Sequence, residues 1–398
     1  PLISFTLGLL ILKACLKDRL PGPLLSAALS MTIGLGASGL LTFTSFVLFN
    51  RLVPWFVILL NLAVTGALAV TTRGGHARIW GHVPNLKDKF GTCPRANLVD
   101  VPVIIALGII TLGMFTFASL YPYGGWDAWG CWNFKARFLF LGGEQWTGMF
   151  DPILWRHQIL YPFLLPLINV WFWSFGSTPT YAVPLAMTCL IPLLTATLLF
   201  SALKTWTGKN YMILVPLWIL TNMFTIQLSA SQYSDLLLGL FLLAAAVIFL
   251  LFQETKNPGY MMPLGLVLGM TGFTKVEGEA LCVIFLITAV ILIITVTHTK
   301  LKHNGDMHQI RLLNLVRVPE YALPIIYLIA STAVAAIPLI IFLLVYVPHD
   351  SGIFINGLAS NEHPASFGRL ATILAYYGRE LISLKWTGLW VVLAAALI

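Results

Sequence analysis

Asp127 lies in a segment that reads Tyr121-Pro-Tyr-Gly-Gly-Trp126-Asp127-Ala-Trp129-Gly-Cys-Trp132-Asn133-Phe-Lys135-Ala-Arg137. A carboxylate followed two helical turns later by two cations admits two readings. In the first, Asp127 is a catalytic base and Lys135 or Arg137 holds a phosphate, because cations stabilise the charge that develops on a leaving anion. In the second, the recurrence of Trp126, Trp129, Trp132 and Ala136 at helical spacing marks an amphipathic helix lying on a membrane surface with its aromatics toward lipid. Asp127 is then only the start of that helix, where the dipole favours a carboxylate.

Four further polar clusters border apolar runs. They are Arg156-His157 ahead of Tyr161-Pro162, Ser231-Gln-Tyr233-Ser-Asp235 at the head of a leucine run, Thr274-Lys275-Val-Glu277-Gly-Glu279 between two runs, and His349-Asp350 with Glu362-His363 and Arg369. Ionisable groups at or inside membrane spans are costly and mark working sites. A stability device does not need so many on one face, whereas an active site at the lipid–water boundary does. The candidate catalytic residue is Asp127. The candidate substrate-binding residues are Lys135, Arg137, His157, Tyr161, Asp235, Lys275, Glu277 and Arg369.

Other patterns carry less. Gly34-Leu-Gly36-Ala-Ser-Gly39 matches a dinucleotide fingerprint by letter, but it sits inside an unbroken apolar run rather than between a strand and an amphipathic helix. Close helix packing through small residues is the better reading, as for Gly265-x-x-x-Gly269. His298, His303 and His308 fall in a basic loop at a spacing that is no tight ligand motif. Cys15, Cys93, Cys131, Cys189 and Cys282 are scattered with no C-x-x-C and read as small packing residues.

These residues need elements to position them, and composition says which. Of 398 residues, 58% are hydrophobic and 10% charged, against about 25% charged in soluble domains. The solvent for most of the chain must therefore be lipid. The net charge of +8 is assigned to loops facing anionic lipid rather than to nucleic acid. Apolar runs from Leu2–Leu16 to Leu381–Ile398 predict an all-α, polytopic transmembrane helix bundle of about 11–12 spans, with amphipathic juxtamembrane helices in the first large outer loop. The chain is divided into N-terminal transmembrane helices over 1–100, a core over 101–300 containing outer loop 121–159, and C-terminal helices over 301–398 containing outer loop 348–380. Pro1 is not an initiator Met and the sequence stops inside an apolar run, so truncation at both ends is expected.

Basic residues in short loops set orientation. Lys13, Lys17 and Arg19, then Arg73 to Arg95, then Lys300 to Arg317 mark cytoplasmic loops. Loops 121–159 and 348–380 then fall on the outer side. Parity puts Asp235 on the wrong side unless one run does not cross. Leu160–Phe175 is that run, being short, rich in Trp and interrupted by Pro166, as suits an interfacial or re-entrant segment. The rival is a full crossing with a helix split differently further on.

The order of these residues resembles the integral-membrane glycosyltransferases of the GT-C superfamily. The shared pattern is an acidic residue in the first large outer loop, a Tyr-Pro helix start, an Asp at a helix head before a leucine run, then Gly265-x-x-x-Gly269 and Thr274-Lys275. It is most similar to bacterial relatives of the protein O-mannosyltransferase and lipid A aminoarabinose transferase group, over residues 101–300. Two features depart from the pattern: three apolar runs precede the acidic loop where simpler members have one, and that loop holds a single Asp where many members have paired acids.

The resemblance implies an enzyme of the bacterial inner membrane with its site facing the periplasm. It would move a sugar from a polyprenyl-phosphate donor to a glycan, lipid or protein acceptor. Asp127 would be general base, the cations Lys135, Arg137, Lys275 or Arg369 would hold phosphate, and Glu277 and Glu279 would orient Lys275 or bind sugar hydroxyls. No cofactor is assigned; the single Asp is compatible with a divalent metal and with none. Two alternatives stand beside this: a non-catalytic membrane subunit that keeps such a fold, and a transporter or flippase, for which broken helices would be the signature.

Overall fold

The computed structural model describes residues 1–17, 19–73, 100–151, 153–154, 159–303 and 322–347, and the isolated positions Thr372, Ala375, Tyr376 and Arg379. Two compact units divide the chain at Pro1–Val347 and Pro348–Ile398. The second contributes only those four helical positions. The predicted outer loop 348–380 and the run Leu381–Ile398 otherwise lie outside the described residues, as do His157 and Arg369.

The first unit is all-α, and no strand occurs among the described residues. Its helices are α1 (Leu2–Leu16), α2 (Pro23–Phe49), α3 (Pro54–Arg73), α4 (Asp100–Ser119), α5 (Asn133–Leu141), α6 (Leu164–Trp173), α7 (Ala182–Thr207), α8 (Leu214–Thr221), α9 (Met223–Ala230), α10 (Asp235–Thr255), α11 (Met261–Gly272), α12 (Val276–His303) and α13 (Ala322–Ile341). All but α5 follow apolar runs, because in lipid the backbone must satisfy its own hydrogen bonds. Local residues set the ends. Pro23 occupies the first turn of α2, and the left-handed Gly208 closes α7.

Among the described residues, six of these helices are long and apolar enough to cross a membrane, or seven if the bent pair α8–α9 counts as one span. This fits the predicted polytopic bundle, part of whose 11–12 expected spans, including Leu381–Ile398, lies outside the described residues. Helices α1, α6 and α11 have 15, 10 and 12 residues, and at about 1.5 Å per residue none covers a hydrocarbon core of about 30 Å alone. The run 212–228 is broken by a 57° bend. Asn222 sits at the break in extended conformation, and its side chain accepts from the Phe224 N–H, so the start of α9 is capped where the α8 ladder stops.

Burial sorts the spans into layers. Two-thirds of α2 and most of α10 are buried, while little of α3, α12 and α13 is. The exposed positions are apolar, as with Val283, Ile284, Ile287 and Ile291 on α12, so this ring faces lipid. Small residues let backbones approach inside it. A Cβ on Gly34 would strike the Ser4 carbonyl of α1, one on Gly36 the Met270 side chain, and one on Gly265 or Gly269 the α13 residues Ser331 or Ala335. The dinucleotide-like letters and the Gly-x-x-x-Gly are therefore packing positions.

Helix α6, at 10 residues, is too short to cross alone. Before its start, the Tyr161 carbonyl accepts from Lys135 at 2.7 Å; at its end, Trp173 packs on Phe140 of α5 with centroids 5.7 Å apart. Both ends thus lie against α5, which belongs to a polar layer. The segment is short, as predicted, but it is core rather than interfacial: nine of its ten residues are buried. The layer covers one end of the bundle and also takes in 231–235 and 273–277. The opposite end carries Lys13, Lys17, Arg19, Lys204, Lys209 and Lys256, and there Gly259 meets the Cys15 carbonyl.

Candidate functional site

The polar end is assembled by contacts between segments far apart in sequence. After α4 the chain turns at Gly124, whose φ of +76° suits glycine, and the Gly125 N–H donates to the Ser231 carbonyl at 3.0 Å. Gln232, itself left-handed at φ 58°, locks this junction. Its side chain donates to the Pro122 carbonyl at 3.1 Å and accepts from Asn133 at 2.7 Å. Asp127 is thereby held near the segment that leads into Asp235. Gln232 and Asn133 are not among the candidate site residues of the sequence, because an uncharged amide carries no sign of its role there. The one signal was the density of polar residues at 231–235.

A π-helical turn, Ala128–Trp132, follows Asp127 and runs directly into α5. It changes the phase of the aromatic stripe. Trp126 and Trp129 remain exposed, as the surface-helix reading expects. Trp132 is 2% exposed and stacks on Tyr161 at 5.5 Å with an interplanar angle of 22°. The predicted lipid-facing row is therefore split, one ring turned into the core by the wider turn.

Lys135 follows Trp132 inward. It is fully buried and donates to the Tyr161 backbone. Burial lowers its ammonium below the ordinary lysine value, with the Cys131 thiol opposing. Arg137, two positions on, is exposed on a different face. Residues two apart on a helix do not face each other, so of the two candidate phosphate cations on α5 one turns inward and the other outward.

Lys275 lies on the other side of Tyr161. Its Nζ is 2.9 Å from Asp235 Oδ1, 3.5 Å from Glu277 Oε1 and 5.8 Å from the Tyr161 ring centre. Burial would lower the Lys275 ammonium, but the hydrogen bond and charge of Asp235, joined by Glu277, outweigh it and raise it above the ordinary value. Tyr161 is pushed up by its own burial and then by Glu277, with Asp127 among the lesser contributors. Cys131 is pushed up chiefly by burial, with the charges of Lys135, Asp127 and Lys275 all reaching it.

Five predicted residues thus bear on a sixth, Tyr161: Lys135 and Lys275 by contact, Glu277 and Asp127 by charge, and Asp235 through Lys275. They are held from below by a knot of rings. Phe163 contacts Phe43, Phe273 and Phe342 at 5.6, 5.5 and 4.7 Å. The Leu164 N–H donates to the Phe273 carbonyl at 3.1 Å, joining the start of α6 to the end of α11. Among the described residues no group of three His, Cys, Asp or Glu is placed to hold a metal. Chemically, the arrangement offers an exposed carboxylate at Asp127 and a half-buried ammonium already gripped by two carboxylates. Comparison with family models, curated proteins and solved structures gives no match.

Proposed function

We propose that this chain is a membrane glycosyltransferase using a sugar linked to polyprenyl phosphate. The observation that carries the reading is the Asp235–Lys275–Glu277 group beside the Tyr161 ring, with Asp127 held by the Gly125–Ser231 hydrogen bond to the segment that leads into Asp235, at one end of a bundle built for lipid. A lipid-linked donor reaches such a site along the bilayer. The acceptor hydroxyl oxygen attacks the anomeric carbon, Asp127 takes the hydroxyl proton, the carbon–oxygen bond to phosphate breaks, and polyprenyl phosphate leaves. One base suffices for this inverting displacement, because phosphate leaves without being protonated. Lys275 faces the departing phosphate with the ammonium proton that its two carboxylates leave free, and Asp235 and Glu277 fix its position. The collection of cations at the opposite end supports an orientation with the site outward, in the periplasm of a bacterial inner membrane.

Transfer of labelled sugar from polyprenyl-phosphate donors by purified protein tests this. Asp127→Asn is expected to abolish transfer without loss of folded protein, and undiminished transfer would remove Asp127 as base. A carrier is the second reading, and the bend at Asn222 favours it, since broken spans line solute paths. Asp127-dependent solute uptake into proteoliposomes, with no sugar transfer, would select it.

A further inference from the structure

A second cavity opens at the polar end, with a volume of ≈ 460 Å³, within the range of about 300–1,000 Å³ typical of ligand sites. None of Asp127, Tyr161, Asp235, Lys275 and Glu277 is among its lining residues. Its walls include the rings of Tyr123, Trp129, Phe134, Trp173 and Tyr181, and Arg137 lies among them. Tyr123 and Tyr181 approach each other, their centroids 6.2 Å apart. Arg137 forms no ion pair among the described residues.

Asn133 and Pro184 also line a smaller recess of ≈ 20 Å³, shared with Asn169, Thr188 and Ser229. The side-chain oxygens of Asn133 and Asn169 are both buried there without a hydrogen-bond donor, Asn169 being 1% exposed. A buried acceptor left unsatisfied is destabilising, so this recess calls for a donor. Its volume holds about one water, or one hydroxyl of a ligand.

Rings at an interface ordinarily form a belt that anchors the protein in lipid. A belt spreads around the perimeter. These rings instead converge on one concavity that also holds a guanidinium, with Asn133 and Pro184 shared between it and the smaller recess. Flat apolar walls accept the C–H face of a sugar ring, and the guanidinium takes a phosphate or carboxylate.

We propose that the cavity between Tyr123, Trp129, Trp173 and Tyr181 is a second ligand site, for a sugar ring carrying an acidic group held by Arg137. The site goes beyond the transfer reaction as proposed above, since it uses none of Asp127, Asp235, Lys275 and Glu277. The test is equilibrium binding of labelled glucose 1-phosphate to the full chain in phosphatidylcholine nanodiscs, with no acceptor present. Failure of this site and failure of the reaction are therefore separate results.

Saturable binding is expected, with neutral glucose and inorganic phosphate each competing at least about tenfold more weakly, the loss of roughly one charge-assisted contact. Arg137→Gln is expected to weaken binding about tenfold or more. Tyr181→Ala, at a half-exposed ring, is a second variant that leaves the core untouched. Displacement by polyprenyl-phosphate glucose in the nanodisc would make the membrane the source of the ligand; displacement by free sugar phosphate alone would make it soluble. No saturable binding, equal competition by glucose or phosphate, or unchanged binding in both variants would overturn the proposal.

Discussion

Lys275 Nζ stands 2.9 Å from Asp235 Oδ1, and this one contact ties the residue ahead of α12 to the first residue of α10. The pair is neither a solvated surface bridge nor a dry one, with side chains 15% and 38% exposed. Lys275→Met is expected to cost about 1–3 kcal/mol, between the surface and buried limits, because it strands Asp235 and Glu277 together. Asp235→Asn should cost less, since water already reaches that carboxylate. A double-mutant cycle on unfolding in detergent checks this: strictly additive losses would mean that the contact contributes no coupling.

The two lysines flanking Tyr161 should respond oppositely to alkali. The folded ammonium of Lys275 is raised above 10.5, so its contribution is fully present below pH 10.5 and is lost as pH rises through the higher folded value. Lys135 is lowered from 10.5 by burial. The folded state therefore binds its proton less tightly than the unfolded chain, and stability rises with pH from the folded value up to 10.5. Thermal melts across the alkaline range should show wild type gaining on Lys135→Met up to that point, and losing its advantage over Lys275→Met beyond it. Parallel curves for all three proteins would contradict both assignments.

Because both ends of α6 rest on α5, Phe175 should be reached from the same side of the membrane as Tyr123. Both are exposed. Single cysteines at Phe175 and Tyr123 are expected to react with an impermeant maleimide from one face, and cysteines at Lys17 and Lys209 only from the other. Opposite labelling of Phe175 and Tyr123 would make α6 a crossing helix.

Glycines in this fold divide into required and incidental. A Cβ at Gly265 would meet the Leu328 carbonyl oxygen at 2.6 Å and the Thr332 nitrogen at 2.7 Å, both backbone atoms that cannot step aside. Gly265→Val is expected to cost at least about 2–3 kcal/mol and to lower the yield of folded protein. At Gly66 of α3 nothing lies within 4 Å, so Gly66→Ala should gain up to about 1 kcal/mol of helix propensity. Melting temperatures of the two variants give the comparison directly; equal effects would mean that α11 and α13 are not packed through Gly265.

The helices themselves were legible in the chain. Where apolar residues run on, lipid is the solvent and the backbone has no hydrogen-bonding option but its own, so runs such as 24–49, 182–203 and 236–252 had to be helical. The positions of Asp127, Asp235 and Lys275 at helix ends followed from the same argument, because charge is expelled to where water begins. The meeting of these residues, by contrast, depends on Gly125–Ser231, Asn133–Gln232 and Leu164–Phe273, hydrogen bonds between segments roughly a hundred residues apart. No local periodicity encodes them. The π turn at Ala128–Trp132 decided that Trp132 and Lys135 turn inward while Arg137 faces a separate cavity. Phase along a helix is set by where its neighbours leave room, and spacing read on an ideal 3.6-residue turn places those three side chains differently. The sequence by itself therefore determined the solvent, the elements and which residues stand at the boundary. Tertiary packing alone decided which of them share a site, because side-chain direction is fixed by long-range contacts.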